Sequence, residues 1–148
     1  YLLHLGGIAH RDIKPENILY DYDKDTIQFI DLVMSCYYNN NKTFNGGSQN
    51  YAAPELFVEQ KESIYDWRCV DIWSMAYTIY IILFKEYPWN NSYNCEYYQK
   101  YLNISDKYDY WLNITQNEIY SQLFVKCFQI NYKDRATIED IHKLISEL

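Results

Sequence analysis

His10-Arg11-Asp12-Ile13-Lys14-Pro15-Glu16-Asn17-Ile18 brings a carboxylate, an ammonium and a carboxamide together within six positions. Pro15 fixes its own φ and donates no backbone hydrogen bond, so these side chains belong on an irregular, stiffened loop. The set is chemically specific. Phosphoryl transfer requires a carboxylate to orient the attacking hydroxyl, a cation beside the moving phosphate and a neutral oxygen that ligates magnesium.

The pattern to either side predicts the elements that carry this loop. Tyr1-Leu2-Leu3-His4-Leu5 reads as the last turns of a helix stopped by Gly6-Gly7. The chain starts without Met and inside that element, which predicts a piece of a longer protein. Downstream, Ile18-Leu19-Tyr20 and Thr26-Ile27-Gln28-Phe29-Ile30 flank an acidic turn, Asp21 to Asp25, as in a short hairpin. From Asp31 to Glu55 the pattern dissolves into Asn, Gly, Ser and Lys, a long loop of the kind kept for function.

Everything later has a helical period. Asp71 to Phe84 is apolar nearly all round and predicts a central buried helix. A helix over Cys95–Leu102 follows, then a face formed by Ile119, Leu123 and Cys127. The last helix carries a stripe of Ile138, Ile141, Leu144, Ile145 and Leu148, with Thr137 and Asp140 as a capping pair. The rest of 90–116, rich in Asn and Tyr, reads as loops, the exception to that period. His4 and His142 lie on helices and are expected at the surface or half-buried.

Composition sets the bounds. The 148 residues make at most one ordinary domain, and 49% hydrophobic against 22% charged residues is globular rather than disordered. A net charge of −7 with no basic run argues against nucleic acid or an anionic membrane as the partner. Without a basic background, the tyrosines from Tyr97 to Tyr110 read as core and surface filler, not as a stacking platform for nucleic acid. The longest apolar run, Met75 to Phe84, is too short to cross a bilayer and reads as core. Cys36, Cys69, Cys95 and Cys127 have no metal-ligand spacing, and no signal peptide is expected. Free thiols in a reducing, cytoplasmic compartment are expected.

The nine-residue loop resembles the catalytic loop of eukaryotic protein kinases, in wording closest to calcium/calmodulin-type or related Ser/Thr kinases. Aligned by motif, the resemblance runs over the whole chain. It implies an α+β, mainly α-helical fold: a single domain over 1–148 that forms the C-terminal lobe of a kinase, with the hairpin beside the catalytic loop. It also implies ATP and Mg2+ as cofactors and a protein as substrate. By the same resemblance, Asp12 is the catalytic aspartate, Lys14 the lysine that neutralises the transferring phosphate, Asn17 and Asp31 the metal ligands, and Leu19 the floor beneath the adenine.

Lys14 and Ser48 favour a Ser or Thr acceptor, because Ser48 in Gly47-Ser48-Gln49-Asn50-Tyr51-Ala52-Ala53-Pro54-Glu55 matches the segment that receives the peptide and touches Asp12 and Lys14. Three residues are implied as scaffolding: Glu55, paired with Arg135, and Asp71, holding the loop backbone from the central helix. His10 is expected to pack beneath the loop. Arg11 matches the cation that receives a phosphorylated activation-loop residue, for which Thr43 is the candidate; an ordinary loop threonine is the equal alternative. Glu16 either favours a basic residue in the peptide or is a solvated loop acid.

Two departures stand out. The family's Asp-Phe-Gly reads Asp31-Leu32-Val33, and a β-branched residue is expected to resist the backbone range in which a glycine lets that turn switch. No Gly-rich phosphate loop and no strand lysine can be found, so the ATP-covering lobe is expected upstream of Tyr1 and this chain alone is expected to be inactive. Two readings remain: the catalytic half of a Ser/Thr protein kinase, or a pseudokinase or truncated remnant that acts as a protein-binding module.

Overall fold

Asp66 starts the element on which the molecule is built. Its carboxylate accepts from Arg68 N at 3.0 Å, the geometry of an N-cap. The computed structural model, which describes residues 1–38, 48–57, 66–89 and 95–146, runs one helix from there, α2 in chain order, over Trp67–Phe84. It begins four residues before Asp71, because the cap lies ahead of the apolar run that marks the helix in sequence. Lys85 ends it in the left-handed region at φ 60.

Helix α1 (Leu2–Leu5) stops at Gly6, and Gly7, at φ 77, turns the chain into β1 (Ile8–Ala9). After the catalytic-type loop come β2 (Ile18–Asp21) and β3 (Thr26–Phe29), which pair antiparallel from Ile18 opposite Phe29 to Asp21 opposite Thr26. The acidic turn is tied by Asp21, whose carboxylate accepts from the amides of Asp23 and Lys24. A short β4 (Cys36–Tyr37) returns to pair with β1, so the expected long loop from Asp31 to Glu55 contains a strand.

Helices α3 (Glu96–Leu102), α4 (Lys107–Thr115), α5 (Glu118–Cys127) and α6 (Ile138–Ser146) complete the order. Cys95 is the N-cap position of α3 rather than its first turn. Helix α4 lies in the segment without a sequence period, and Trp111 is its one buried residue among those described. On α5, Leu123 and Cys127 are buried. On α6, Ile141 is buried and Ile145 is exposed, while Leu148 lies outside the described residues. Thr137 and Asp140 cap α6 reciprocally: Thr137 N donates to Asp140 Oδ2 at 2.9 Å and Asp140 N to Thr137 Oγ1 at 3.2 Å. Among the described residues the fold is mainly helical with two small antiparallel sheets.

An aromatic core holds α2. Trp73, Tyr77 and Tyr80 pack against Trp89, Trp111, Phe124 and Phe128, with ring centroids 4.9 Å apart for Trp89–Phe128 and 5.0 Å for Trp73–Phe128 and Trp111–Phe124. Tyr98 and Tyr101 join this cluster, whereas Tyr97 is exposed. Burial pushes the Tyr101 phenol and the fully enclosed Cys127 thiol up to about 12, so Cys127 is a packing group rather than a nucleophile. No helix among the described residues is long and apolar enough to cross a membrane.

Polar anchors also fasten α2. Arg135 donates to both Glu55 oxygens, at 2.7 and 3.0 Å, and to the carbonyls of Cys69 at 2.7 Å and Gln129 at 2.9 Å. Its side chain is fully buried, and its guanidinium lies 5.1 Å from the Trp73 ring. Truncating one partner of such a pair strands a charge in the interior. Arg135→Ala is expected to lower stability by about 3–5 kcal/mol; chemical denaturation with a loss below about 1 kcal/mol would contradict a structural role.

Candidate active site

Lys14, Asp12 and Ser48 form the closest polar cluster on the loop. Lys14 Nζ lies 3.0 Å from Asp12 Oδ2 and donates to Ser48 Oγ at 2.8 Å. Ser48 N donates to the other Asp12 oxygen at 3.1 Å. Asn17 Nδ2 donates to the Asp12 carbonyl at 2.8 Å and to Asp12 Oδ2 at 3.1 Å. Three residues, the farthest 36 positions away, therefore converge on one carboxylate.

Its ionisation follows from that environment. Burial works against the Asp12 charge, but hydrogen bonds from Lys14 and from the Ser48 hydroxyl and amide outweigh it, holding the carboxyl below the usual range. A carboxyl depressed on folding stabilises the fold above its unfolded pKa of about 3.9, and that contribution is lost as pH falls through the folded value.

The loop is shaped from beneath. Asp71, 1% exposed on α2, accepts from His10 N and Arg11 N, each at 2.7 Å. Arg11 sits at φ 69, a left-handed conformation that costs a non-glycine residue about 1 kcal/mol or more and persists where neighbours over-determine it. His10 is fully buried. Its Nε2 donates to the Ile30 carbonyl at 3.1 Å, and its Nδ1 accepts from Asp12 N at 3.3 Å. Ser74, one turn along α2, donates to the Tyr51 carbonyl at 2.9 Å and holds the Ser48 segment.

His4 departs from expectation. Instead of lying at the surface or half-buried it is 9% exposed, and its Nε2 donates to Asp71 Oδ2 at 2.8 Å. The helical period of α1 could not reveal this, because the partner is 67 positions away. His142 is exposed and stacks with Tyr1 at 4.9 Å.

Asp31 follows β3, and Ile30 N donates to the Asn17 carbonyl at 3.0 Å, which ties the two implied metal ligands to one strand end. Asp31 takes φ 60 and accepts from Val33 N at 3.4 Å. Leu32–Met34 is a 3-10 turn, and Val33 is exposed within it at ordinary negative φ. The left-handed residue of this turn is therefore Asp31, and valine is not strained here.

The donor chemistry fits magnesium. Asn17 spends its amide nitrogen on Asp12 and has an oxygen without a partner among the described residues, and Asp31 offers an exposed carboxylate. No cluster of three or more metal-ligating His, Cys, Asp or Glu occurs among the described residues. Two protein oxygens with the rest from phosphates and water is how magnesium is usually held in such sites.

Leu19 on β2 is 52% exposed, an apolar surface without a protein cover in the described residues. Arg11 is 7% exposed and has no carboxylate partner there; its guanidinium lies 4.0 Å from the Trp67 ring and Nη1 donates to the Met34 carbonyl at 3.3 Å. Thr43 lies outside the described residues. A groove of about 490 Å3 opens beside the cluster, lined by Lys14, Glu16, Asn17, Ser48, Tyr51 and Tyr87.

The fold, mainly helical with small antiparallel sheets, is consistent with the C-terminal lobe of the protein-kinase fold. The family model described as protein kinase domain matches residues 1–144, and the chain belongs to that family. Calcium-dependent protein kinase 5 of Plasmodium falciparum is 36% identical over 149 residues, an alignment covering 97% of this chain and 25% of that kinase. Serine/threonine-protein kinase ppk34 of Schizosaccharomyces pombe is 30% identical over 141 residues, covering 94% of this chain and 38% of the relative. The chain thus spans between a quarter and about two fifths of these relatives' length.

Lys14→Ala removes the hydrogen bond that lowers Asp12 while leaving its burial in place. The Asp12 carboxyl is expected to titrate at higher pH in this variant. Side-chain carbon NMR across an acid titration reads this, and an unmoved midpoint would show that Lys14 does not set the charge.

Proposed function

We propose that this chain is the catalytic half of a protein serine/threonine kinase, transferring the γ-phosphate of ATP to a Ser or Thr hydroxyl of a protein. The observation that carries this reading is the convergence of Lys14, Ser48 and Asn17 on the Asp12 carboxylate. Asp12 orients the acceptor hydroxyl and takes up its proton, for which a carboxylate kept ionised is suited. Lys14, already within reach of Ser48, meets the transferring phosphate. Asn17 and Asp31 would hold Mg2+, which would supply positive charge to neutralise the phosphates.

The acceptor peptide lies in the groove, with Glu16 favouring a basic residue in it. Leu19 forms the floor for adenine. Arg11, a buried cation with no acid among the described residues, receives a phosphate carried on Thr43. The protein acts in the cytoplasm.

Asp12→Asn in the complete protein is expected to lower kcat by about 10^2-fold or more, with the KM for ATP little changed. Phosphate incorporation into Ser/Thr peptides reads this. Wild-type inactivity towards protein and peptide acceptors, with a binding partner retained by both forms, would favour a protein-binding pseudokinase. Thr43→Ala is expected to reduce turnover, and undiminished turnover would remove Thr43 from the scheme.

A further inference from the structure

The turn that carries Asp31 is fastened at both ends to one residue. Ahead of it the Ile30 carbonyl accepts from the His10 ring at 3.1 Å, and behind it the Ser35 hydroxyl donates to the His10 carbonyl at 3.3 Å. His10 is fully buried and stands two positions before Asp12. The turn bearing one implied metal ligand and the loop bearing the Asp12 carboxylate therefore share a support.

The strand register explains why a side chain is needed behind the turn. Strands β1 and β4 pair Ile8 with Tyr37 and Ala9 with Cys36, so the register carried on sets His10 opposite Ser35 and Arg11 opposite Met34. Backbone amides do not extend the ladder to these positions. Ser35 N donates to the Leu32 carbonyl at 3.0 Å and closes the 3-10 turn, while Arg11 N donates to Asp71 from its left-handed φ of 69. Side chains take over: Ser35 Oγ meets the His10 carbonyl and Arg11 Nη1 meets the Met34 carbonyl, each at 3.3 Å.

Serine hydroxyls usually bond to backbone close in sequence, whereas this one reaches a carbonyl 25 positions back. Its acceptor belongs to a fully buried residue, where water does not replace a lost donor. The Arg11 bond to Met34 runs through a long side chain, so the hydroxyl is the shorter and stiffer tie.

We propose that Ser35 is a positioning residue that fixes the Asp31 turn against the loop carrying Asp12. With the hydroxyl gone, the turn keeps its front end on His10 and loses this hold on its rear one. The Asp31 carboxylate is then less firmly placed relative to Asp12. The kinetic consequence rests on the kinase reading; the two-ended fastening does not.

The test compares Ser35→Ala, which removes the hydroxyl, with Ser35→Thr, which keeps it. The backbone there is extended, at φ −64 and ψ 148, and a β-branched residue adopts it without strain. In the complete protein, Ser35→Ala is expected to lower kcat about three- to tenfold, with the KM for the acceptor peptide within about twofold. The Mg2+ concentration for half-maximal rate should rise, because Asp31 is the implied ligand on this turn. NMR gives a readout without turnover: the His10 carbonyl carbon should move upfield and the Asp31 amide should shift. Ser35→Thr should restore most of each.

An unmoved His10 carbonyl or Asp31 amide in Ser35→Ala would overturn the proposal, as would unchanged kcat in a variant whose carbonyl has moved. Equal losses in Ser35→Thr would also overturn it, leaving Ser35 a space-filling residue. Should the wild type phosphorylate nothing, the kinase reading falls alone and the resonances decide. Unmoved in Ser35→Ala they refute the positioning role; moved, and restored by Thr, they support it.

Discussion

The buried carboxylate of Asp71 is the constraint on which the site depends. Taking a carboxylate out of water is costly, and what offsets that cost here is three donors at 2.7 to 2.8 Å. Hydrogen bonds to a charged group contribute about 1.5–3 kcal/mol each, enough to hold one left-handed residue against its local preference. The turn at Arg11 is thus a tertiary property. It exists because α2 presents an acid under it, and Asp12 inherits its direction from that turn.

The same helix sets the other side of the site. Ser74 lies three residues from Asp71 and so on the same face, from which it holds the Tyr51 carbonyl. Arg135 fastens Glu55 to the Cys69 carbonyl at the first turn. The segment bearing Ser48 and the loop bearing Lys14 are referenced to one rigid element, which is why two side chains 34 positions apart meet at 2.8 Å. The rigidity comes from the aromatic residues of α2, where Trp73, Tyr77 and Tyr80 are locked among Trp89, Trp111, Phe124 and Phe128. Aromatic packing supplies the frame, and a few buried polar bonds convert the frame into site geometry.

Much of this is legible along the chain, because the spacing of Asp12, Lys14 and Asn17 is a local chemical signature. The pairings of Asp71 with the loop and of Glu55 with Arg135 come through the kinase resemblance, and the hydrogen bonds follow it. What escapes the sequence is non-local or weakly periodic. His4 looks like a surface residue of a short helix, since nothing near it announces an acid 67 positions on. Helix α4 leaves most of its residues half-buried and fully buries Trp111 alone, too little for an apolar stripe. Strand β4 has two residues and is defined only by its pairing with β1. At Asp31-Leu32-Val33, composition directs suspicion at the valine, while the backbone puts the unusual φ on the aspartate.

Native-state hydrogen exchange of the His10 and Arg11 amides in the complete wild-type protein tests this account most directly. If the Asp71 carboxylate anchors the loop, both amides exchange only through global unfolding, with the protection of the α2 core. Exchange of either amide at the rate of an exposed loop would contradict it, and the loop geometry would then need another cause.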